Sequence, residues 1–353
     1  MPHGHLRQIL VGSGAISRAQ IVWPRSFVSA TIAATIAFAC IQLDQVGAAL
    51  PLVIGAGFVG LANAGIGPTQ AIKGMAWCLL WITLATLAGG LAATLDMAQV
   101  LIAVVMALIA GFAGALGKRG ALIGVLSLVL YVVFSGAPDT ERTAFTSAVL
   151  LGLGGLVQLI IGGAFALLSD RRHPRTESNI EESRSVIDRL REHGRRDSQF
   201  ARHAARLAVA VGVATVIAHS TGWPHEYWIP MTVVWMSRPD KNGTSTRVVE
   251  RTLGTLLGIG VSLLLIDLIG TGPIRLPLYI FIGTLFAIAF VNANYPIAVG
   301  GITLIVITLF TIDGEPLSET VPYRLVCTLV AAVITIAASF LWPYRPKTPN
   351  SVT

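Results

Sequence analysis

Hydrophobic positions in this chain gather into long runs divided by short charged or turn-rich breaks. A helix crossing about 30 Å of hydrocarbon needs about 20 apolar residues at 1.5 Å rise each. The sequence supplies such runs repeatedly between Phe27 and Trp342. They predict spans near 26–43, 47–66, 74–95, 98–116, 120–136 and 143–168, then near 203–220, 226–237, 249–270, 276–292, 296–312 and 321–342. The run beginning at Glu226 is too short for a straight crossing, so a broken, re-entrant or loop-extended segment is expected there. The count is twelve, with ten as the alternative. The fold class is all-α: a polytopic helical membrane protein of two tandem six-helix half-repeats in the same orientation.

Composition agrees with a lipid solvent. Hydrophobic residues make up 54% of the 353 positions and charged residues 12%, roughly half the charge of an ordinary soluble domain. Lys and Arg are retained on the cytoplasmic side of a bilayer. A cytoplasmic N-terminus places Arg7, Arg18, Arg25, Lys73, Lys118, Arg119, the basic set from Arg171 to Arg206, Arg238, Lys241, Arg247, Arg251, Arg345 and Lys347 inside. Only Arg142, Arg275 and Arg324 then fall outside, where acids such as Asp44, Asp96, Asp139, Glu226, Asp267, Asp313 and Glu315 dominate. This threading accounts for the net charge of +7 without nucleic acid. The expected location is the bacterial inner membrane, with both termini cytoplasmic and the first span acting as an uncleaved signal. Cys40, Cys78 and Cys327 lie inside predicted spans and read as small packing residues.

Internal similarity appears at an offset of roughly 178 residues. Arg25 opens the first span as Arg202 opens the seventh, Pro51 matches Pro230, Lys73 nearly matches Arg251, Pro138 matches Pro316, and Glu141 matches Glu319. Segments follow: 1–24 cytoplasmic, 25–168 the first membrane half, 169–201 a cytoplasmic polar linker, 202–343 the second half and 344–353 a cytoplasmic tail. Six spans per half return the chain to its starting side, so the halves relate by an axis along the membrane normal, with a cavity expected between them. In the linker, Ser178 and Glu181 have capping-box spacing, and Ile180, Ile187 and Leu190 make a narrow apolar stripe.

The most specific stretch runs from His225 to Gly260. It carries Tyr227-Trp228-Ile229-Pro230, an Arg238-Pro239-Asp240 turn followed by Thr244, and Arg251-Thr252-Leu253-Gly254-Thr255-Leu256-Leu257-Gly258. These features resemble the fusaric acid resistance and aromatic acid exporter superfamily; the first half keeps an eroded version in Leu50-Pro51 and Lys73-Gly74. The resemblance implies export of small organic anions, particularly aromatic carboxylic acids, coupled to proton influx. Many members carry a large cytoplasmic domain between their membrane halves, whereas the linker here is short.

An aromatic carboxylate needs a stacking surface and a cationic or dipolar partner. Tyr227, Trp228 and Trp235 offer rings, and Arg238, Arg247 and Arg251 offer permanent charge, so these six are the candidate substrate-binding residues. Orientation alone also explains the arginines, and an interfacial belt also explains Tyr227 and Trp228. Asp240 and Glu250, able to pair with the arginines, and His219 and His225, titrating near neutral pH, are the candidate proton-coupling groups. Gly254 and Gly258 form a GxxxG element that permits close helix packing. Asn63, Gln158, Asn292 and Asn294 are polar enough to need partners in lipid.

Other chemistry finds no support in the sequence. Gly55, Gly57 and Gly60 match GxGxxG, but inside a membrane run rather than after a strand, so dinucleotide binding is rejected. No GxxxxGK[ST] segment cradles a nucleotide, no nucleophile–base cluster emerges, and the two histidines lack zinc spacing. The expectation is a non-enzyme without cofactor or metal whose partners are the lipid bilayer and a small organic anion. A homo-oligomer and a periplasmic adaptor stand open as further partners. The competing readings are a passive organic-anion channel and a non-transporting membrane scaffold or envelope-assembly protein.

Overall fold

The computed structural model describes residues 16–63, 67–95, 97–136, 141–170 and 198–341. Among these the chain forms twelve α-helices and no strand: α1 (Trp23–Gln42), α2 (Ala49–Leu61), α3 (Pro68–Ala92), α4 (Met97–Ala113), α5 (Lys118–Ser135), α6 (Glu141–Asp170), α7 (Gln199–Thr221), α8 (Trp228–Met236), α9 (Lys241–Leu268), α10 (Arg275–Phe290), α11 (Tyr295–Ile312) and α12 (Leu317–Ser339). Each coincides with one apolar run. Nine are long and apolar enough to span a bilayer; α2, α8 and α10, at 13, 9 and 16 residues, are the shorter ones. The Ser178–Glu181 capping box and most of the polar linker lie outside the described residues, as do Arg7, Asp96, Pro138, Asp139, Arg345 and Lys347.

Local chemistry sets several helix ends. Ser198 caps α7 by accepting from the Ala201 N–H, Asp240 caps α9 through Gly243, and Asn294 caps α11 through Ile297. Such a cap contributes about 1 kcal/mol by occupying an amide that the helix leaves unpaired. Gly222 ends α7 in the left-handed conformation at φ 60°, which glycine enters without a Cβ penalty.

Consecutive helices alternate in direction. Arg25 at the start of α1 donates to the Asn63 carbonyl just past the end of α2, and Arg119 at the start of α5 donates to Gln70 at the start of α3. At the opposite face, Gln99 of α4 meets His219 near the end of α7. The face where α1 begins is called proximal below, and the other distal.

Helix α2 packs on α6 as α8 does on α12, α3 on α5 and α6 as α9 does on α11 and α12, and α4 on α5 as α10 does on α11. Across the middle, α4 lies against α7 and α10 against α1. Missing side chains allow the closest approaches. A Cβ on Gly55 would stand 2.1 Å from the Leu151 carbonyl oxygen, and one on Gly258 would stand 2.5 Å from Thr303 Cβ. The outward surface is apolar: Leu101, Val105 and Ile109, one turn apart along α4, are 69%, 53% and 59% exposed. In water that stripe would be unsolvated, whereas lipid matches it; the chain is a multi-pass membrane protein.

Candidate functional site

Two arginines lie inside this apolar bundle. Arg251 of α9 and Arg324 of α12 are each 1% exposed and line one cavity of about 100 Å³, walled by Val53 and Phe58 of α2, Val133 of α5, Trp235 of α8, Ile288 of α10 and Ile305 of α11. Both sides of the polar segment therefore contribute to it. Among the described residues no carboxylate lines the cavity. Nε and Nη2 of Arg251 and Nε and Nη1 of Arg324 have no hydrogen-bond partner, while Arg251 Nη1 reaches the Tyr295 hydroxyl at 3.4 Å.

Aromatic faces stand where counterions would be expected. The Arg324 guanidinium is 5.0 Å from the Trp228 ring and that of Arg251 is 5.6 Å from Trp235. Both rings belong to the nine-residue helix α8, and their separation of two helical turns puts them on one side of it. Each cation–π contact is worth roughly 0.5–2 kcal/mol, against an effective desolvation cost of several kcal/mol per buried ion. The two charges are thus undercompensated by the protein alone. An anion between them would supply the charge partner that the lining residues do not.

On the proximal side the cavity adjoins a polar recess of about 530 Å³ lined by Arg238, Asp240, Arg247, Glu250, Asn292 and Tyr295. Tyr295 bridges the two spaces, with its ring 3.5 Å beneath the Arg247 guanidinium and its hydroxyl on Arg251. Arg247 and Arg251 sit one turn apart on the same face of α9. Glu250 is held by Arg247 at 3.4 Å. Asp240 is engaged as the α9 cap rather than with an arginine. The Arg238 carbonyl accepts from Thr244 and from Arg206, which fixes the extended turn between α8 and α9.

At the distal end His225, at the unusual φ of 56°, places Nε2 2.7 Å from Glu315 and stacks 4.6 Å from the Trp228 ring. The Tyr227 hydroxyl lies 3.3 Å from His225 Nδ1. His219 meets Glu226 at 3.6 Å and Gln99 at 3.0 Å. Burial pushes the Glu226 carboxyl above its ordinary range, moderated by His219. Among the described residues no group of three His, Cys, Asp or Glu side chains could hold a metal ion.

The candidate residues therefore separate into three neighbouring groups. Arg251 and Trp235 line the cavity, with Trp228 facing its other arginine, Arg324; Arg238, Arg247, Asp240 and Glu250 form the recess, and Tyr227, His225 and His219 form the distal cluster. Gly254 and Gly258 lie in close α9–α11 contact, facing Pro296, Val299, Gly300 and Thr303. Arg324 corrects the charge sorting, which assigned it to the outer side although the predicted span 321–342 contains it. It lies within α12, because the helix begins earlier than its most hydrophobic stretch and turns the Thr320 and Arg324 side chains into the bundle. An arginine within the apolar run Val321-Pro322-Tyr323-Arg324-Leu325-Val326 was the available signal, since intramembrane charge is costly and therefore functional by default. Tyr295 and Phe58 carried no such mark.

Residues 213–338 match the family described as fusaric acid resistance protein-like. Inner membrane protein YccS of Escherichia coli is 34% identical over 156 residues, covering 44% of this chain and 22% of that protein. An uncharacterized protein of Haemophilus influenzae is 34% identical over 148 residues, covering 42% of this chain and 20% of its own length, and one of Synechocystis is 32% identical over 145 residues, 41% and 19% of the two chains. The matched region thus spans about a fifth of these relatives. No solved structure matches the chain. The cavity arginines Arg251 and Arg324 both fall inside the region that matches the fusaric acid resistance protein-like family.

Proposed function

We propose that the protein exports small organic anions, aromatic carboxylic acids among them, across the inner membrane, driven by proton influx. The observation that carries this reading is the pair of buried guanidiniums without carboxylate partners, in an apolar, aromatic-walled cavity. Such a cavity offers an aromatic acid both a charge partner and a ring surface. The equivalent pairings of α1–α6 and α7–α12 support two six-helix halves of common orientation, rocking about the cavity to open it to each side in turn. Short helices at corresponding positions, α2 and α8, flank the cavity, as in transporters whose sites form at interrupted spans. With a cytoplasmic N-terminus, the recess collects substrate from the cytoplasm, and His225–Glu315 with His219–Glu226 admits protons from the opposite side.

Purified protein in liposomes is expected to move an aromatic acid such as benzoate against its gradient when a proton gradient is imposed. Arg251→Gln is expected to abolish that flux while inserting normally. Failure across a broad panel of organic acids overturns the proposal, and flux indifferent to the proton gradient overturns its coupling.

A further inference from the structure

Resting on that reading, the structure carries a statement about what occupies the site when no organic acid is present. The cavity of about 100 Å³ is smaller than the several hundred Å³ of ordinary small-molecule pockets. An aromatic acid therefore enters only when the halves separate. A halide fits the cavity as it stands, with room for a few waters. The guanidiniums of Arg251 and Arg324 line the same cavity, and among the described residues no carboxylate lines it with them. Every acid nearby is committed elsewhere: Glu250 to Arg247, Glu315 to His225, Glu226 to His219, and Asp240 to the α9 cap. Four guanidinium nitrogens are buried without a hydrogen-bond partner.

We infer that a small inorganic anion of halide size is bound between Arg251 and Arg324 in the resting protein, and that an organic acid enters by displacing it. Export is then an exchange in which the emptied site is refilled by the inorganic anion from the opposite side. Neither half-cycle leaves the two cations bare in the apolar interior.

The test uses radiolabelled chloride and the full chain, purified in detergent in a halide-free gluconate buffer. Binding should saturate at one chloride per chain. Arg251→Gln and Arg324→Gln should each weaken it at least tenfold, and Arg275→Gln, at an exposed position, should leave it unchanged. As a reading independent of the variants' folding, iodide should quench a saturable part of the wild-type tryptophan fluorescence, through Trp228 and Trp235, and chloride should reverse it. Non-saturating binding, or binding equal in all variants, overturns the inference. In proteoliposomes, organic-acid efflux should require external chloride. Efflux without saturable chloride binding sinks this inference alone, whereas chloride binding without flux of any organic acid supports the site and sinks the transport reading.

Discussion

Replacing Arg324 with methionine separates a functional arginine from a structural one. In the native bundle the guanidinium is 1% exposed, leaves Nε and Nη1 unpartnered, and faces Trp228 at 5.0 Å as its compensating contact. Methionine keeps most of the volume and removes the charge. Exchanging buried ionic groups for apolar ones of similar size stabilises proteins on the order of 1–4 kcal/mol, from which the lost cation–π contact of roughly 0.5–2 kcal/mol must be subtracted. The expected outcome lies between a loss of about 1 kcal/mol and a gain of about 3.5 kcal/mol in halide-free buffer, a shift of a few degrees at most in the unfolding midpoint. Cys40, Cys78 and Cys327 are buried free thiols, so a thiol-reactive fluorophore reports unfolding in detergent as they become exposed. Transport by the same variant should be lost. A midpoint several degrees below wild type would refute the reasoning, because it would mean that Arg324 holds the helices together.

Gly258→Val should cost about 1–3 kcal/mol through overpacking, since its Cβ would meet Thr303 Cβ at 2.5 Å and the Gly300 carbonyl at 2.6 Å; a lower unfolding midpoint checks this. Asp240→Ala should lower stability by about 1 kcal/mol as a lost cap and leave the proton dependence of transport unaltered; a changed pH profile would instead return Asp240 to the coupling machinery. Glu226 carries a raised pKa, so its contribution to stability is complete below the ordinary carboxylate range and is lost as pH rises through the folded-state value. Glu226→Gln should therefore flatten the fall in the unfolding midpoint between mildly acidic and neutral pH, measured by the same thiol assay; an unchanged slope would count against burial as the cause.

Helix positions were legible because apolar run length is a local property, and all twelve runs correspond to helices. The shortness of α8 was visible at Glu226, whereas α2 stops at Leu61 inside a run read as continuing to residue 66; Gly67, at φ 116°, starts the turn into α3. Arg251 stood out because its neighbours repeat a recognisable pattern. Arg324 did not, since a rule that sorts charges by loop cannot see how far a helix end is drawn into the bundle. Nor could the sequence pair Tyr295 with Arg251 across 44 positions, or distinguish a capping Asp240 from a titrating one. Those distinctions depend on which helices face one another.

Helix α8 links the two arginines mechanically. Trp228 at its distal end faces Arg324, Trp235 at its proximal end faces Arg251, and among the described residues no other helix contributes a ring to both cations. Its flanks are not helical: His225 at φ 56° precedes it, and an extended Ser237 held by the Arg238–Thr244 bonds follows it. A short rigid segment between two bends shifts as a unit, so displacement at one end carries the ring at the other. His225 joins α8 to Glu315 at the base of α12, the helix that bears Arg324. Any change of charge at the His225–Glu315 pair therefore acts on the segment whose rings screen both guanidiniums. The proposed coupling of proton entry at the distal face to anion affinity in the cavity would run through these nine residues, without requiring a carboxylate inside the cavity.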